Sequence, residues 1–239
     1  MALTILDITN GIFSIIFVVI SIIIGLTIMA KYFAYKQRTY LLIGLTWIGM
    51  ASTWTPSSIS LVVFLTLGMI PPIQLLLFIA IFFLPFAQAF WITVFCVFKG
   101  IKSRKIVIGL FVIEGIIFEA FFLLLLFTNP SAIATFSATF DMDYALWINI
   151  FLFSLLIMFL ATGTSLAWES VKSDDPEVKL KGKFLFIAFY SFIVGAVLDI
   201  FSASSIFILT VARLVLISSA FAFYVGFILP DWMKKLFLS

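Results

Sequence analysis

The sequence predicts an all-α, polytopic membrane protein, a bundle of seven transmembrane helices, and three observations support this fold class. Of the 239 residues, 64% are apolar and only 10% are charged, and the mean hydropathy is +1.31, far from the values of a soluble domain. Seven apolar runs approach the length of about 20 residues that a helix needs to cross a bilayer. The segments between those runs carry nearly all of the basic residues.

The seven predicted spans follow one another along the whole chain. They cover residues 11–30, 40–54, 75–98, 106–127, 145–168, 184–201 and 206–229. No polar stretch is long enough to fold as a soluble domain, so residues 1–239 form one membrane domain. The first run is followed rather than preceded by basic residues and has Asp7 in front of it, unlike a signal peptide. We therefore expect the first helix to remain in the mature protein.

Charge placement predicts the orientation of the bundle. With an outside N-terminus, the segments that face the cytoplasm are residues 31–39, 99–105, 169–183 and 230–239. These segments hold 13 of the 14 basic residues, namely Lys31, Lys36, Arg38, Lys99, Lys102, Arg104, Lys105, Lys172, Lys179, Lys181, Lys183, Lys234 and Lys235. The outward loops hold no basic residue. This distribution follows the positive-inside rule, by which the cytoplasmic loops of membrane proteins are enriched in Lys and Arg. We expect a multi-pass protein of the cell membrane with its N-terminus outside, its C-terminus cytoplasmic and residues 230–239 as a short amphipathic tail.

Residues 55–74, between the second and third spans, allow two interpretations. The segment is too apolar for an exposed loop, yet an eighth span would reverse the sidedness of every later basic loop. One interpretation is an outer cap, with a short helix over residues 59–68 that packs on the bundle or lies in the interface. The other is a long second helix with a kink near Pro56. Residues 128–144 form a second candidate cover for the outer mouth.

Two acidic residues lie deep within the fourth span, in the stretch VIEGIIFEAFF at residues 112–122. At 1.5 Å per residue, Glu114 lies roughly 13 Å and Glu119 about 21 Å from the cytoplasmic boundary. A charge at such depth costs about 3 kcal/mol on insertion scales, so intramembrane acids usually face the bundle interior and find a partner or take up a proton. Both residues are therefore candidate functional groups.

Arg213, in the seventh span, is the one basic residue outside the cytoplasmic segments. It lies at about the depth of Glu119, and Asp199 on the sixth span lies about a turn closer to the outer boundary. Since these two spans form an antiparallel hairpin, we predict a polar cluster of Glu119, Asp199 and Arg213 in the outer half of the bundle. Glu114 has no evident cation, so we expect it to be protonated and treat it as a candidate proton site. A cluster that only locks the helices in register is the alternative.

Several classes of catalytic site are excluded by composition. The chain contains no His, so the metal-binding boxes of membrane hydroxylases, desaturases and zinc hydrolases cannot be built, and neither can a Ser–His dyad. No Lys lies within a predicted span, which excludes a retinal Schiff base. We find no phosphate-binding glycine loop and no kinase signature. We therefore expect a protein that is not an enzyme and that has no metal or other cofactor.

The last span ends in GFILPDWMKKLF, where Pro230 stops the helix before a basic amphipathic tail. Seven helices with an outside N-terminus and this ending resemble the heptahelical sensor regions at the N-termini of some membrane histidine kinases and in receptor-like proteins. The sequence as a whole, including the inner loop ESVKSDDPEVKLKGK, also resembles uncharacterised archaeal seven-helix proteins. The resemblance implies a sensor or receptor, and without a following signalling domain its output would pass through cytoplasmic loops or a partner.

These observations together favour a sensor or receptor-like protein. We expect it to bind a small ligand or a partner in an outer cavity near Arg213 and to relay a helix shift to the cytoplasmic face. Its partners would be the lipid bilayer, a small molecule and a cytoplasmic protein, and nucleic acid is not expected. Two other functions stay open. Basic connections after the first and fifth spans would suit the parallel repeats of a small proton-coupled transporter, and a structural membrane subunit would need only the packing.

Overall fold

The computed structural model describes residues 3–137 and 139–238. Within that part of the chain, seven helical segments are long and apolar enough to cross a membrane, as the composition predicts. We call them spans I to VII, and they are Ile5–Tyr35, Arg38–Leu67, Ile73–Phe98, Arg104–Thr128, Leu146–Val171, Pro176–Ile200 and Ile206–Ile228.

Two spans are interrupted, so the described residues form more helices than spans. The elements are α1 Ile5–Tyr35, α2 Arg38–Ala51, α3 Thr55–Leu67, α4 Ile73–Ile81, α5 Leu84–Phe98, α6 Arg104–Thr128, β1 Ala134–Phe136, β2 Met142–Tyr144, α7 Leu146–Val171, α8 Pro176–Ile200, α9 Ile206–Ile228 and α10 Asp231–Leu238. Span II consists of α2 and α3, and span III of α4 and α5.

Span II is one long helical segment with a bend in its middle. A 3-10 turn at Ser52–Trp54 joins α2 to α3, and Pro56 is tolerated because it lies in the first turn of α3. Both helices pack along α1, and at Gly11 the α1 backbone comes directly against α3. Gly68, at φ 67°, ends the helix in the left-handed conformation that favours glycine. Of the two interpretations of residues 55–74, the structure therefore has the long second helix and no separate cap.

Six spans form a ring, and span IV lies outside it. Neighbours around the ring are I and II, II and III, III and V, V and VI, VI and VII, and VII and I. Span IV packs mainly against span III, and only 17% of an apolar stretch of 18 residues within it is buried. In a membrane, most of the surface of span IV therefore faces lipid.

Aromatic side chains fill the middle of the ring. Trp47 of span II stacks on Phe223 of span VII with ring centroids 4.1 Å apart. Trp91 of span III lies 4.8 Å from Phe159 of span V and 5.4 Å from Phe189 of span VI, centroid to centroid. All five side chains are fully buried. The aromatic core thus forms direct packing contacts among spans II, III, V, VI and VII.

A β-hairpin of β1 and β2 covers one end of the bundle, where the sequence predicts a cover. The Ser57 hydroxyl of α3 donates to the carbonyl oxygen of Phe140 at 3.0 Å. The indole N–H of Trp147 donates to the carbonyl oxygen of Ala132, also at 3.0 Å. We call this end of the bundle the hairpin end, and the opposite end, which carries the basic segments, the basic end.

The amphipathic tail folds as α10 at the basic end. The Lys234 ammonium lies 2.8 Å from the Glu177 carboxylate at the start of α8, and this hydrogen bond raises the pKa of Lys234. The ring of Phe237 contacts that of Phe184. Ser239, the last residue of the predicted tail, lies outside the described residues. The tail is thus fastened to span VI.

Spans I and II approach each other closely around Gly44. A methyl group at this position would press against the backbone carbonyl of Gly25 and the side chain of Met29, so the two helices would have to separate. We predict that Gly44→Ala lowers the free energy of unfolding by about 1–3 kcal/mol. Gly109→Ala on span IV is the matched control, because nothing lies within 4 Å of the added methyl group. Thermal unfolding in detergent micelles measures both, and equal losses would contradict the close approach.

Candidate functional site

Arg213 lies inside the bundle near the hairpin end, with 2% of its surface exposed. Its Nη2 donates to Oδ1 of Asn10 on span I at 2.7 Å. Its Nη1 donates to Oδ2 of Asp199 on span VI at 3.3 Å, and Nη2 lies 3.2 Å from Oδ1 of the same carboxylate. The guanidinium therefore holds spans I and VI to span VII.

Asp199 has a second partner on span II. The indole Nε1 of Trp54 donates to Oδ2 of Asp199 at 2.8 Å, a charge-assisted hydrogen bond of the stronger kind. The same indole packs edge-on against Phe17 of span I, with ring centroids 5.0 Å apart. We call Asn10, Trp54, Asp199 and Arg213 the Arg213 cluster. Its members come from spans I, II, VI and VII.

The connection between α8 and α9 explains why Asp199 and Arg213 meet. Residues 201–205 reverse the chain, so side chains near the end of α8 lie opposite side chains near the start of α9. Gly195 permits close packing of the two helices, since a Cβ at this position would lie 2.7 Å from the Leu216 side chain. The ion pair is therefore a consequence of a short turn and a small residue one turn away.

The Arg213 cluster balances its charges but does not use all of its polar atoms. One guanidinium faces one carboxylate, which avoids the cost of a buried charge without a partner. Among the described residues, Nε of Arg213 and Oδ1 of Asp199 have no hydrogen-bond partner. Oδ1 lies within ion-pair distance of Nη2, but in a direction that forms no hydrogen bond. The cluster thus contains one buried donor and one buried acceptor that form no hydrogen bond within the described residues.

A second carboxyl group lies in the hairpin within electrostatic range of the cluster. Asp141 accepts a hydrogen bond from the backbone N–H of Met142 at 3.0 Å. Burial raises the pKa of Asp141, and the Met142 hydrogen bond opposes this effect. The charges of Asp199 and Arg213 act on the same group in opposite directions, the first raising its pKa and the second lowering it. The hairpin therefore adds a titratable group to this end of the bundle.

The predicted contact between Asp199 and Arg213 is present, and Glu119 is not joined to it. Glu119 is 9% exposed, and both of its carboxylate oxygens lack a hydrogen-bond partner in the described part of the chain. It shares a buried face of α6 with Gly115 and Phe122, which pack against span III. Because span IV lies outside the ring, Glu119 does not reach Arg213. The three-membered cluster is thus corrected to an ion pair without Glu119.

Glu114 lies on the outer surface of span IV and is exposed there. Its Oε2 accepts a hydrogen bond from Nε2 of Gln88 on span III at 3.3 Å. In a membrane this position places the carboxyl group beside lipid, where a charge is costly. The assignment of Glu114 as a proton site stays a prediction.

Sequence reasoning missed Asn10 and Trp54 as members of the cluster. Asn10 carries a signal that could have found it, since it is an amide at the start of a long apolar run. Trp54 carries no such signal, because Trp is common at the edge of a membrane as an interface anchor.

A cavity of about 330 Å³ lies at the basic end, where spans II, III, V, VI and VII converge. Its lining includes Tyr40, Glu169, Lys181 and Phe227, and so combines polar and aromatic groups. Glu169 forms an ion pair with Lys99, the residue that follows span III. A second cavity, of about 220 Å³, is apolar and lies between α1 and α3.

No protein family model matches the sequence, and comparisons with curated proteins and with solved structures gave no match. The function is therefore inferred from the geometry of the Arg213 cluster and of the basic-end cavity.

Loss of one partner of the buried ion pair is expected to destabilise the bundle. We predict that Asp199→Asn lowers the free energy of unfolding by about 3–5 kcal/mol, because it leaves the Arg213 charge buried without a counter-charge. Trp54→Phe is the control, since it keeps the packing on Phe17 and removes one hydrogen bond to a charged group, worth about 1.5–3 kcal/mol. Unfolding by SDS in mixed micelles measures both. An Asp199→Asn effect no larger than that of Trp54→Phe would contradict the ion pair.

Replacement of Glu119, whose carboxyl group has no hydrogen-bond partner among the described residues, is not expected to destabilise the bundle. We predict that Glu119→Gln leaves the stability unchanged or raises it by up to about 3 kcal/mol, because the amide brings no charge into the hydrocarbon. Glu114→Gln is compared with it, since Glu114 is exposed and has Gln88 as a partner. The same SDS titration measures both variants. A marked loss of stability in Glu119→Gln would mean that the native carboxylate is satisfied within the bundle.

Proposed function

We propose that this chain is a receptor-like, multi-pass membrane protein that binds a small ligand or a partner at the hairpin end and relays a helix shift to the basic end. One observation carries the proposal. The same two helices, α8 and α9, hold the buried Arg213–Asp199 ion pair near one end and line a cavity at the other.

The Arg213 cluster would act as a latch, that is, a set of contacts between helices that has two alternative arrangements. The guanidinium joins spans I and VI to span VII, and Trp54 adds span II through its hydrogen bond to the Asp199 carboxylate. A change in these contacts would therefore act on all four spans. Nε of Arg213 and Oδ1 of Asp199 form no hydrogen bond within the described part of the chain, so a polar group of a ligand could bond to them once the cluster opens. A ligand that binds this arrangement and another with different affinity shifts the population between them.

The hairpin controls access to this latch. With Arg213 2% exposed, a ligand from this side contacts the guanidinium only when the covering segments move. The hairpin is held to α3 by the hydrogen bond from Ser57 to Phe140, close to the turn that carries Trp54. Binding at this end would therefore displace the hairpin and the bend of span II together.

The aromatic core provides the mechanical connection between the ends. Phe192 of α8 contacts both Trp54 near the latch and Trp47 deeper in the ring, with centroids 5.8 Å and 5.5 Å apart. Trp47 in turn stacks on Phe223 of α9. Because packed cores change between discrete arrangements rather than deform continuously, a shift of α8 at Asp199 would be transmitted along this chain of rings.

The basic-end cavity is the proposed output site. Its volume of about 330 Å³ is within the range of roughly 300–1,000 Å³ that is typical of ligand pockets. Lys181 of α8 and Phe227 of α9 form part of its wall, so a movement of these helices changes its shape. A cytoplasmic protein that inserts a side chain into this cavity would bind with an affinity that depends on the shape of the cavity.

The same cavity also favours a second candidate function, a small proton-coupled transporter. A space at one end of the ring, with a buried ion pair and a cover at the other, would suit one state of alternating access. In a transporter of this kind, Glu114 would be the proton site. Substrate flux into proteoliposomes that disappears in Glu114→Gln would support the transporter over the receptor.

Solvent access to the cavity tests the relay without knowledge of the ligand. In a Cys96→Ala background, Thr39→Cys places a thiol in the cavity wall, and Ser103→Cys places a control thiol on an exposed loop. We predict that Arg213→Lys changes the rate of maleimide modification severalfold at position 39 but not at position 103, because the weakened latch shifts α8 and α9. Modification rates in nanodiscs measure this effect.

A purely structural role of the cluster gives a different result. In that case Arg213→Lys lowers the thermal stability, and the rate at position 39 stays unchanged well below the unfolding temperature. Such a result would contradict the proposed relay.

A further inference from the structure

The loop between spans III and IV carries a dense group of basic residues. Lys99, Lys102, Arg104 and Lys105 fall within residues 99–105, which contain no acidic residue. Lys99 is paired with Glu169 of span V. Lys102, Arg104 and Lys105 are exposed and form no ion pair with another described residue. We call these three residues the III–IV basic patch.

The III–IV basic patch lies at the edge of an apolar surface. Phe98, before the loop, is 48% exposed, and Ile106, after it, is 67% exposed. At 1.5 Å per residue, Arg104 and Lys105 lie about 3 Å or less along the axis from Ile106. The headgroup region extends about 5–7 Å beyond the hydrocarbon on each side of a bilayer. In a bilayer whose hydrocarbon ends near Ile106, Arg104 and Lys105 would therefore lie at the level of the lipid phosphates.

The position of span IV favours a lipid as the occupant of the III–IV basic patch, rather than a partner that binds in the basic-end cavity. Span IV lies outside the ring, and its apolar side chains such as Leu110 and Ile117 are more than 60% exposed. The cavity is lined by spans II, III, V, VI and VII and not by span IV. The patch thus borders the lipid-facing side of the bundle.

The start of α6 adds to the positive potential of the patch. No acidic residue lies in the first turn of this helix, and no side chain caps it. Basic side chains at Arg104 and Lys105 are electrostatically unfavourable at the positive end of the helix dipole. An external anion would relieve this repulsion.

We propose that the III–IV basic patch binds the anionic headgroups of membrane lipids at the basic end and fixes span IV against the bilayer. Basic groups immediately outside a transmembrane helix are attracted to anionic lipids. The phosphate group of the lipid is the chemical feature recognised, and the acyl chains lie along the exposed face of span IV.

The segment between spans V and VI provides a matched control. Lys172, Lys179 and Lys183 are also exposed, but Asp174, Asp175 and Glu177 lie among them in the sequence. Neutralising these three lysines removes the same charge as neutralising the patch. The offset charges of this segment predict weaker lipid binding.

Native mass spectrometry of the full chain in detergent tests the proposal with phosphatidylglycerol and phosphatidylcholine as probes. We expect the unmodified chain to retain phosphatidylglycerol in preference to phosphatidylcholine. We expect Lys102→Gln/Arg104→Gln/Lys105→Gln to weaken phosphatidylglycerol binding by at least about tenfold. The control Lys172→Gln/Lys179→Gln/Lys183→Gln should change it far less, and thermal unfolding confirms that both variants are folded.

Three results would overturn the proposal. Equal losses in both triple variants would show that only the net charge of the basic end matters. Equal retention of the two lipids by the unmodified chain would exclude recognition of an anionic headgroup. Displacement of the lipid by millimolar inorganic phosphate would indicate a site for a soluble anion instead.

Discussion

A guanidinium buried in an apolar helix bundle needs a counter-charge and hydrogen-bond acceptors, and this requirement organises the hairpin end of the protein. Arg213 obtains them from Asp199 on span VI and Asn10 on span I, while Trp54 on span II supports the carboxylate. An isolated charge at such a position would cost several kcal/mol. The ring must therefore close with spans I, II, VI and VII in contact at this level.

The rest of the bundle is built to keep these contacts in register. Glycines at Gly44 and Gly195 let neighbouring helices approach closely, and the aromatic core fills the space between them. A cavity of about 330 Å³ with polar and aromatic lining lies at the basic end, where spans II, III, V, VI and VII meet. A latch at one end and a cavity at the other are joined by continuous helices, which is the arrangement from which the relay is proposed.

The sequence predicts the spans well because length, hydropathy and basic loops depend only on local composition. The contact of Asp199 with Arg213 was also accessible, since a short turn fixes which residues of two antiparallel helices lie opposite each other. The order of helices around the ring was not, because no local signal shows that span IV lies outside it. For this reason Glu119 was predicted to join Arg213, whereas it lies against span III. The course of span II depended on a 3-10 turn that absorbs Pro56, and the sequence left that choice open.

The ionisation of Asp199 in the folded protein tests the central claim most directly. Isotope-edited infrared spectroscopy can identify the carboxyl band of this residue as the one that Asp199→Asn removes. A charged pair with Arg213 predicts an ionised carboxylate band, and it predicts a protonated carbonyl band once Arg213→Ala has removed the counter-charge. A protonated band in the unmodified protein, unchanged by Arg213→Ala, would contradict the account of the buried ion pair.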